Sequence, residues 1–494
     1  MHFMKYERYF FLAALVLYVV AAWFSSGFYH GDEHYQLIEF AAYKMGTVSA
    51  EGLAWEFEAM VRPAFQPFIA FIIIKLLQVF SIVDPYMQAF VLRLLTALLA
   101  LFSIRYFTRT CSYFVHPRHH KAYLFLSYFL WFLPFVNVRF TSETWSGIML
   151  LNALSILLST NLRGNRNYLA GLFLGLSFLF RYQNAFLALG IFLWLLVIER
   201  EKILDLLKLL AAGVVVLLLG ILMDFWLYGE FTLSAWNYFY VNVVEDVASG
   251  YGTEAWWNYF YSIFRFGFFP IGIPVILAFL ILTVKKPKSV FIWTILPFFV
   301  IHSIIAHKEL RFLFPVINLV PIILLLAFQT LKWDIRKWRV PGRIAIHVVA
   351  WILVAINIIG TVTVSLKPAD SGLTTITHYI RQHYGDEPIR LISYNNSNPY
   401  GPWELMASFY MEKDMQDIRL ESLEELADSV LHKERVNLLV LKRDDAATDP
   451  AQAFITGYNA PKVVQCIPRW MEPLMTLYGG FHVHEILELY EIQY

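Results

Sequence analysis

Tyr9-Phe10-Phe11-Leu12-Ala13-Ala14-Leu15-Val16-Leu17-Tyr18-Val19-Val20-Ala21-Ala22-Trp23-Phe24-Ser25-Ser26-Gly27-Phe28 is the stretch on which the fold turns. It carries no ionised side chain and reaches the ~20 residues that a helix needs to cross the hydrocarbon core of a bilayer. Lys5 and Arg8 precede it, which puts the amino end in the cytoplasm. No cleavable signal peptide is evident, so the run reads as a retained signal anchor. Just past it the chain turns polar at once: His30-Gly31-Asp32-Glu33-His34-Tyr35-Gln36.

Beyond this loop the apolar texture repeats. Further runs lie near 65–83, 87–108, 121–137, 144–160, 167–182, 184–198, 206–228, 264–284, 290–306, 312–331 and 344–366. Several are shorter than a full crossing, which fits helices that are broken or packed inside a bundle. Over the 494 residues, 58% are hydrophobic and only 16% charged; soluble domains run to roughly 45–50% and about 25%. Lys and Arg number 39 against 38 Asp and Glu, so no basic nucleic-acid footprint is visible and no nucleic-acid partner is expected. Cys111 and Cys466 lie too far apart in sequence to suggest a disulfide framework. The expected fold class is an all-α polytopic membrane protein with a carboxyl-terminal α/β domain.

Basic residues orient the spans. Arg163 and Arg166, then Arg200, Lys202 and Lys208, then Lys285, Lys286 and Lys288, mark cytoplasmic loops, as do Lys332, Arg336, Lys337, Arg339 and Arg343. The loops near 141–143, 181–184, 229–263 and 306–311 then face outward. Both the amino end and the basic 105–121 loop belong inside, so 65–108 crosses once and 65–83 dips in and returns, which gives about 11 spans. A full hairpin with one more span is the alternative if one of these basic assignments is wrong. From Lys367 the texture changes: Pro368, Asp370 and Gly372 break the last run. Ile389–Tyr394 and Val436–Leu441 read as strands and Leu423–Lys433 as a helix. The expected division is a transmembrane domain over 1–366, with its first outward loop at 29–64, and an extracytoplasmic α/β domain over 367–494.

Chemistry concentrates in the outward loops. Asp32 and Glu33, flanked by His30 and His34, are expensive beside lipid and read as a base that takes a proton from a sugar hydroxyl. The same residues also read as a solvated helix start, with Asp32 capping a helix from Glu33 to about Tyr43. A metal set of His30, Asp32 and His34 matches no standard spacing. The second cluster is His307-Lys308-Glu309-Leu310-Arg311-Phe312; His307, Lys308 and Arg311 form a phosphate-holding group, or else a salt-bridged turn. Arg139 to Glu143 and Arg181 to Asn184 are further polar groups at awkward depth, or equally helix breaks satisfied by their neighbours. The 238–257 loop, with Asn242, Tyr251, Trp256 and Trp257, suits sugar or headgroup contacts, or an interfacial aromatic belt. His116, His119 and His120 sit on the basic cytoplasmic loop and read as solvated.

Together these clusters resemble the family 22 glycosyltransferases, the mannosyltransferases of GPI-anchor and asparagine-linked glycan assembly, which have the GT-C fold. His30 to Gln36 is similar to the family's His-Pro-Asp-Glu-x-x-Gln box, with Gly31 in place of proline. Arg62-Pro63 is similar to its Arg-Ser step, and Arg139-Phe140-Thr141-Ser142-Glu143 also matches. His307 to Pro315 resembles the His-Lys-Glu-x-Arg-Phe-x-x-Pro signature. The resemblance covers 30–315, and the hydrophobic pattern carries it to about 366.

The resemblance implies inverting transfer of a hexose, mannose by preference, from a polyprenyl-phosphate sugar to a glycan or glycolipid acceptor in the bilayer. Asp32 is then the base and Glu33 its alternative or the group that orients the acceptor. His307, Lys308 and Arg311 stabilise the leaving lipid phosphate. His30, His34, Gln36, Arg62, Arg139, Glu143, Arg181, Asn242 and Tyr251 complete the substrate site. No metal or other cofactor is expected. The compact loops are similar to those of a bacterial inner-membrane relative; a eukaryotic chain belongs in the endoplasmic reticulum membrane. A multi-pass transporter of a lipid-linked or anionic substrate is the alternative, although it requires two repeated halves that the hydropathy does not display.

Overall fold

The apolar runs become helices almost where the pattern puts them. The computed structural model describes residues 2–159, 165–266, 271–332, 339–401, 405–478 and 482–493; Arg163, Arg336 and Lys337 lie outside these. Among the described residues five helices are long and apolar enough to cross a membrane: Phe3–Phe24, Pro85–Phe114, Ile203–Tyr228, Leu310–Thr330 and Val340–Leu366. Five shorter apolar helices are Phe65–Val79, Arg166–Phe180, Tyr182–Val197, Gly272–Lys285 and Val290–Ile304. These lengths do not establish the expected count of 11 spans.

The chain divides into two compact units. One comprises Met1–Ala22, Glu56–Ile69 and Leu92–Ser365; the other comprises Trp23–Trp55, Ala70–Val91 and Leu366–Tyr494. The unit that holds the carboxyl-terminal segment thus also takes in most of the first polar loop.

In the first unit, buried Glu7 near the start of the first helix accepts from Arg105 (2.6 Å) and Arg109 (2.7 Å) at the far end of Pro85–Cys111. At the opposite end Arg93 donates to the carbonyl of Ala22, 2.9 Å away. The two helices therefore run antiparallel, and the chain between them leaves and returns at one end. The segment expected to dip into the membrane and return is a single helix from Phe65 to Val79.

Small residues let the other helices approach closely. A Cβ on Gly147 would fall 2.7 Å from the Pro315 carbonyl oxygen, so Ser142–Leu158 lies directly against the 310–319 segment only because residue 147 has no side chain. Leu310–Leu319 is wound as a 3-10 helix, long for that geometry, before Val320–Thr330 continues as α-helix.

In the second unit β1 (Ile389–Tyr394), β2 (Met415–Leu420), β3 (Val436–Lys442), β4 (Lys462–Gln465) and β5 (Leu487–Ile492) form one sheet in the order β2-β1-β3-β5-β4. The pairs β1/β2 and β1/β3 are parallel, β3/β5 and β4/β5 antiparallel. Both expected strands are present. The helix expected over Leu423–Lys433 is not: two single 3-10 turns, Leu423–Glu425 and Asp428–Val430, stand there instead. Ser422 and Glu425 do form a capping box, but Leu426 and Ala427 turn to extended backbone. The spacing of Leu423, Leu426 and Val430 is met by turns that lay all three on the sheet's apolar face.

Candidate active site

Two groups of candidate side chains emerge, one in each unit. In the first unit the centre is Glu143. Thr141 caps the helix that carries it, its hydroxyl accepting from the Thr144 amide at 3.1 Å, and Glu143 falls in the first turn, where the helix dipole favours an anion. Glu143 is 2% exposed and its Oε1 accepts from Arg181 Nη1 (2.7 Å) and Arg311 Nη1 (3.2 Å). Arg181 ends the helix Arg166–Phe180, and Arg311 opens the 3-10 segment.

Arg311 reaches a second carboxylate as well. Its Nε lies 2.7 Å from Glu309 Oε2 and its Nη2 2.9 Å from Glu309 Oε1, a two-pronged contact. His307 Nε2 stands 3.2 Å from the same Glu309 Oε1, and its Nδ1 3.2 Å from the carbonyl of Gly252. The Phe312 ring lies 4.9 Å from the Arg181 guanidinium and 5.3 Å from that of Arg311, which adds cation–π attraction.

Lys308 is buried in a different way. Its ammonium donates to the carbonyls of Ile305 (2.5 Å), Glu254 (3.0 Å) and Ala306 (3.4 Å), so it ties the 252–254 loop to the end of helix Val290–Ile304. The Glu254 amide returns a bond to Ala306 at 2.9 Å. Burial lowers the Lys308 ammonium from its usual value, with the charge of Glu254 working the other way. Arg181, Lys308 and Arg311 are all buried, against Glu143 as the one equally buried carboxylate of the cluster and Glu309 half-buried beside it.

Other candidates in this unit collect around Tyr238. Its ring lies 5.8 Å from the Arg62 guanidinium, its hydroxyl accepts from Gln183, and its carbonyl accepts from Asn242 at 2.9 Å. Arg62 also contacts Glu56 at 3.3 Å. Arg139 is fully buried, its guanidinium 5.6 Å from the Phe135 ring. Tyr251 is exposed, 6.1 Å from the His307 ring. The structure therefore joins Arg311, Glu143 and Arg181 directly and His307 through Glu309, with Lys308 and Tyr251 at the edge; Arg62 and Asn242 belong to the Tyr238 group.

In the second unit the acidic box folds as a one-turn helix, Gly31–Tyr35. The cap is His30, whose side chain accepts from the Asp32 amide, and a separate helix comes next at Ile38–Met45. The reading of Asp32 as the cap of a helix to Tyr43 is thereby corrected. The reason is local: His30 Nδ1 already meets the Asp32 amide at 3.3 Å, and the backbone breaks at Gln36 and Leu37. Asp32 keeps its carboxylate partly exposed (24%), with Oδ1 3.5 Å from His30 Nδ1. Glu33 is turned inward, Oε2 accepting from the Tyr29 amide at 2.9 Å. Gln36 is buried at the helix end, and His34 pairs with Glu39 at 2.8 Å. His34 thus turns away from any shared set with His30 and Asp32, and among the described residues no group of three or more His, Cys, Asp or Glu is placed to hold a metal ion.

Sequence reading passed over three carboxylates that organise these groups. Glu39 fixes His34, and Glu309 holds Arg311 in a fork. Asp224, buried in the long apolar helix Ile203–Tyr228, accepts from the Ala64 amide at 2.9 Å and from Ser234, and so pins the Arg62 loop. An acidic residue inside an apolar span was a visible signal for Asp224.

Known proteins bear on this geometry. "GPI alpha-1,2-mannosyltransferase 3" of Bos taurus is 23% identical over 343 residues, covering 66% of this chain and 60% of that protein. "Mannosyltransferase APTG1" of Arabidopsis thaliana is 26% identical over 331 residues, covering 65% and 59%. The chain thus spans about three fifths of the length of these relatives. Among solved structures, ArnT from Cupriavidus metallidurans aligns in the apo state (TM-score 0.54, 14% identity, 99% of this chain and 98% of that one). Bound to undecaprenyl phosphate it aligns with TM-score 0.53 at 13% identity over 97% of each chain, a likeness of fold and one that agrees with the GT-C architecture. The profile of the Alg9-like mannosyltransferases runs over residues 9–390, through both polar groups and nearly every apolar helix between them, and the chain belongs to that family.

Proposed function

We propose that the protein is an inverting mannosyltransferase of the membrane, taking mannose from a polyprenyl-phosphate donor and delivering it to a glycan or glycolipid on the extracytoplasmic side. The observation that carries this reading is the buried cluster in which Arg181 and Arg311 meet at Glu143, with Lys308 and His307 on the same segment as Arg311. Guanidinium groups grouped in this way suit a phosphate diester, which they can meet with charge-assisted hydrogen bonds. The fold-mate ArnT was crystallised with undecaprenyl phosphate, and the named relatives are mannosyltransferases, which supports a lipid-phosphate donor over transport.

The chemistry is that of the side chains. An acceptor hydroxyl attacks the anomeric carbon of the donor from the face opposite the phosphate. The new glycosidic C–O bond forms as the old C–O bond to phosphate breaks. Asp32 takes the hydroxyl proton as negative charge passes to the departing polyprenyl phosphate. Arg311, with Arg181 and His307 beside it, meets that growing charge, and Lys308 contributes its field while holding the loop in place. No step calls for a metal ion. Under the basic-loop argument the amino end is cytoplasmic and residues 367–494 lie outside.

Purified protein should convert polyprenyl-phosphate mannose and a glycan acceptor into a product of opposite anomeric configuration, with free polyprenyl phosphate released. Use of a nucleotide sugar instead, or retention of the anomer, would overturn the proposal.

A further inference from the structure

A five-residue helix has no stability of its own; isolated helices need about 12–15 residues to persist in water. The direction in which Gly31–Tyr35 presents Asp32 must therefore come from what anchors it. Residues advance about 100° each around a helix, so positions 32 and 34 point about 200° apart. Fixing His34 on one side aims Asp32 on the other.

His34 is fixed thoroughly. It has no exposed surface, and its ring is stacked between Phe28 (centroids 5.0 Å apart, 21° between planes) and Tyr410 (5.2 Å, 13°). Its Nε2 lies 2.8 Å from Glu39 Oε1, and that same oxygen accepts from the Phe409 amide at 2.9 Å. Next to it the Tyr35 hydroxyl donates to the Leu405 carbonyl at 3.1 Å. Three contacts thus run from the box and the helix after it to the 405–411 segment: His34 to Tyr410, Glu39 to Phe409 and Tyr35 to Leu405. Tyr410 is itself braced from behind by the Tyr86 ring at 4.9 Å, which stacks in turn on His378 at 4.3 Å.

Such a pair is not the cheapest way to fill a core. Glu39 is 1% exposed, and among the described residues its Oε2 and the His34 Nδ1 are buried with no hydrogen-bond partner. Apolar residues of similar volume often replace a buried pair without loss of stability, whereas a hydrogen-bonded pair fixes one geometry; here Glu39 also serves the Phe409 amide. Nothing about packing alone requires a histidine and a glutamate there.

We infer that the buried His34–Glu39 pair is a positioning device through which residues 405–411 of the carboxyl-terminal segment set the aim of Asp32. The inference rests on the reading of Asp32 as the base. It gives the carboxyl-terminal α/β segment a task in the reaction: holding the acidic box in its working direction.

The test uses the full chain in detergent with polyprenyl-phosphate mannose and acceptor. His34→Phe keeps the stacked ring and removes the bond to Glu39; Glu39→Gln keeps an acceptor oxygen for the Phe409 amide and serves if the first variant fails to fold. Misplacing a base by an ångström costs up to about 100-fold in rate. For His34→Phe the turnover should fall about 10- to 100-fold with donor KM nearly unchanged. Glu39→Gln should retain more activity than Glu39→Ala. In an Asp32→Asn background neither His34 nor Glu39 substitution should reduce the residual rate further, because the group being aimed is gone. Folded His34→Phe and Glu39→Gln proteins with wild-type turnover would overturn the inference, as would equal losses with and without Asp32. If Asp32→Asn itself keeps the wild-type rate, the base reading fails instead, so the two failures are distinguishable.

Discussion

Arg311 divides its guanidinium between two carboxylates, forked on Glu309 and reaching Glu143 with the remaining nitrogen. Only a planar group with fixed donors does this; a lysine supplies the charge without the fork. Arg311→Ala should therefore lower kcat/KM for the donor by about 100-fold or more, the scale of losing one preorganised charge on a developing anion. Arg311→Lys should recover only part of that loss, and steady-state kinetics of the two variants decide the matter; a lysine variant equal to wild type would contradict the role given to the fork. At this scale the members of the cluster were legible in sequence, because Glu143, Arg181 and Arg311 belong to short polar stretches set between apolar runs. The partners were less so. Nothing in spacing says that Glu309 clasps Arg311, that all three Lys308 donors meet carbonyls, or that Glu39 meets His34 five residues back. Those pairings depend on where the chain turns, and turns such as the one at Gln36 and Leu37 leave no periodic trace.

Elements place these residues by close approach. The helix Ser142–Leu158 brings Glu143 to Arg311 because Gly147 lets it lie against Pro315, with no room for a Cβ. Gly147→Val should destabilise the protein by about 1–3 kcal/mol through overpacking and, by separating Glu143 from Arg311, weaken donor use as well. A thermal-denaturation scan with a donor-consumption assay checks both; unchanged melting and activity would mean the helix gives way freely. The helices themselves were legible, since an apolar run of helical length has few alternatives in a bilayer. Shorter elements were not. The run Leu423–Lys433 has helical spacing, but two 3-10 turns satisfy the same contacts on the sheet. The box at 30–36 is capped by His30, an uncommon cap, and sequence preference favoured Asp32.

Across the whole chain, the two polar groups fall in separate compact units, and the first polar loop travels with the carboxyl-terminal sheet. That sheet carries its own ion cluster. Arg443 forks onto Glu472 at 3.1 Å through each terminal nitrogen and also reaches Glu488 at 3.1 Å, where Lys462 joins at 2.9 Å. Burial pushes the Glu488 carboxyl up, but bonds from Tyr490, Lys462 and Arg443 outweigh it and hold the group below its usual value. The Arg443 contact likewise lowers Glu472 against burial. Both groups titrate lower when folded than when unfolded. The stability they give is therefore complete above the unfolded value of about 4.3 and is lost as pH falls from there through the folded values. Melting temperature should hold from pH 7 to about 5 and fall below about 4.3, less steeply in Glu488→Gln; a rise on acidification would contradict the sign.

The central claim is that a carboxylate left outside the helix cap does the acid–base work while buried cations receive the phosphate. The direct measurement is mannose transfer from polyprenyl-phosphate mannose by purified wild-type protein and Asp32→Asn side by side, with donor binding measured on both. The expected result is transfer by the wild type, loss of transfer in Asp32→Asn by orders of magnitude, and donor affinity preserved. Transfer at a near wild-type rate by a folded Asp32→Asn protein would contradict it.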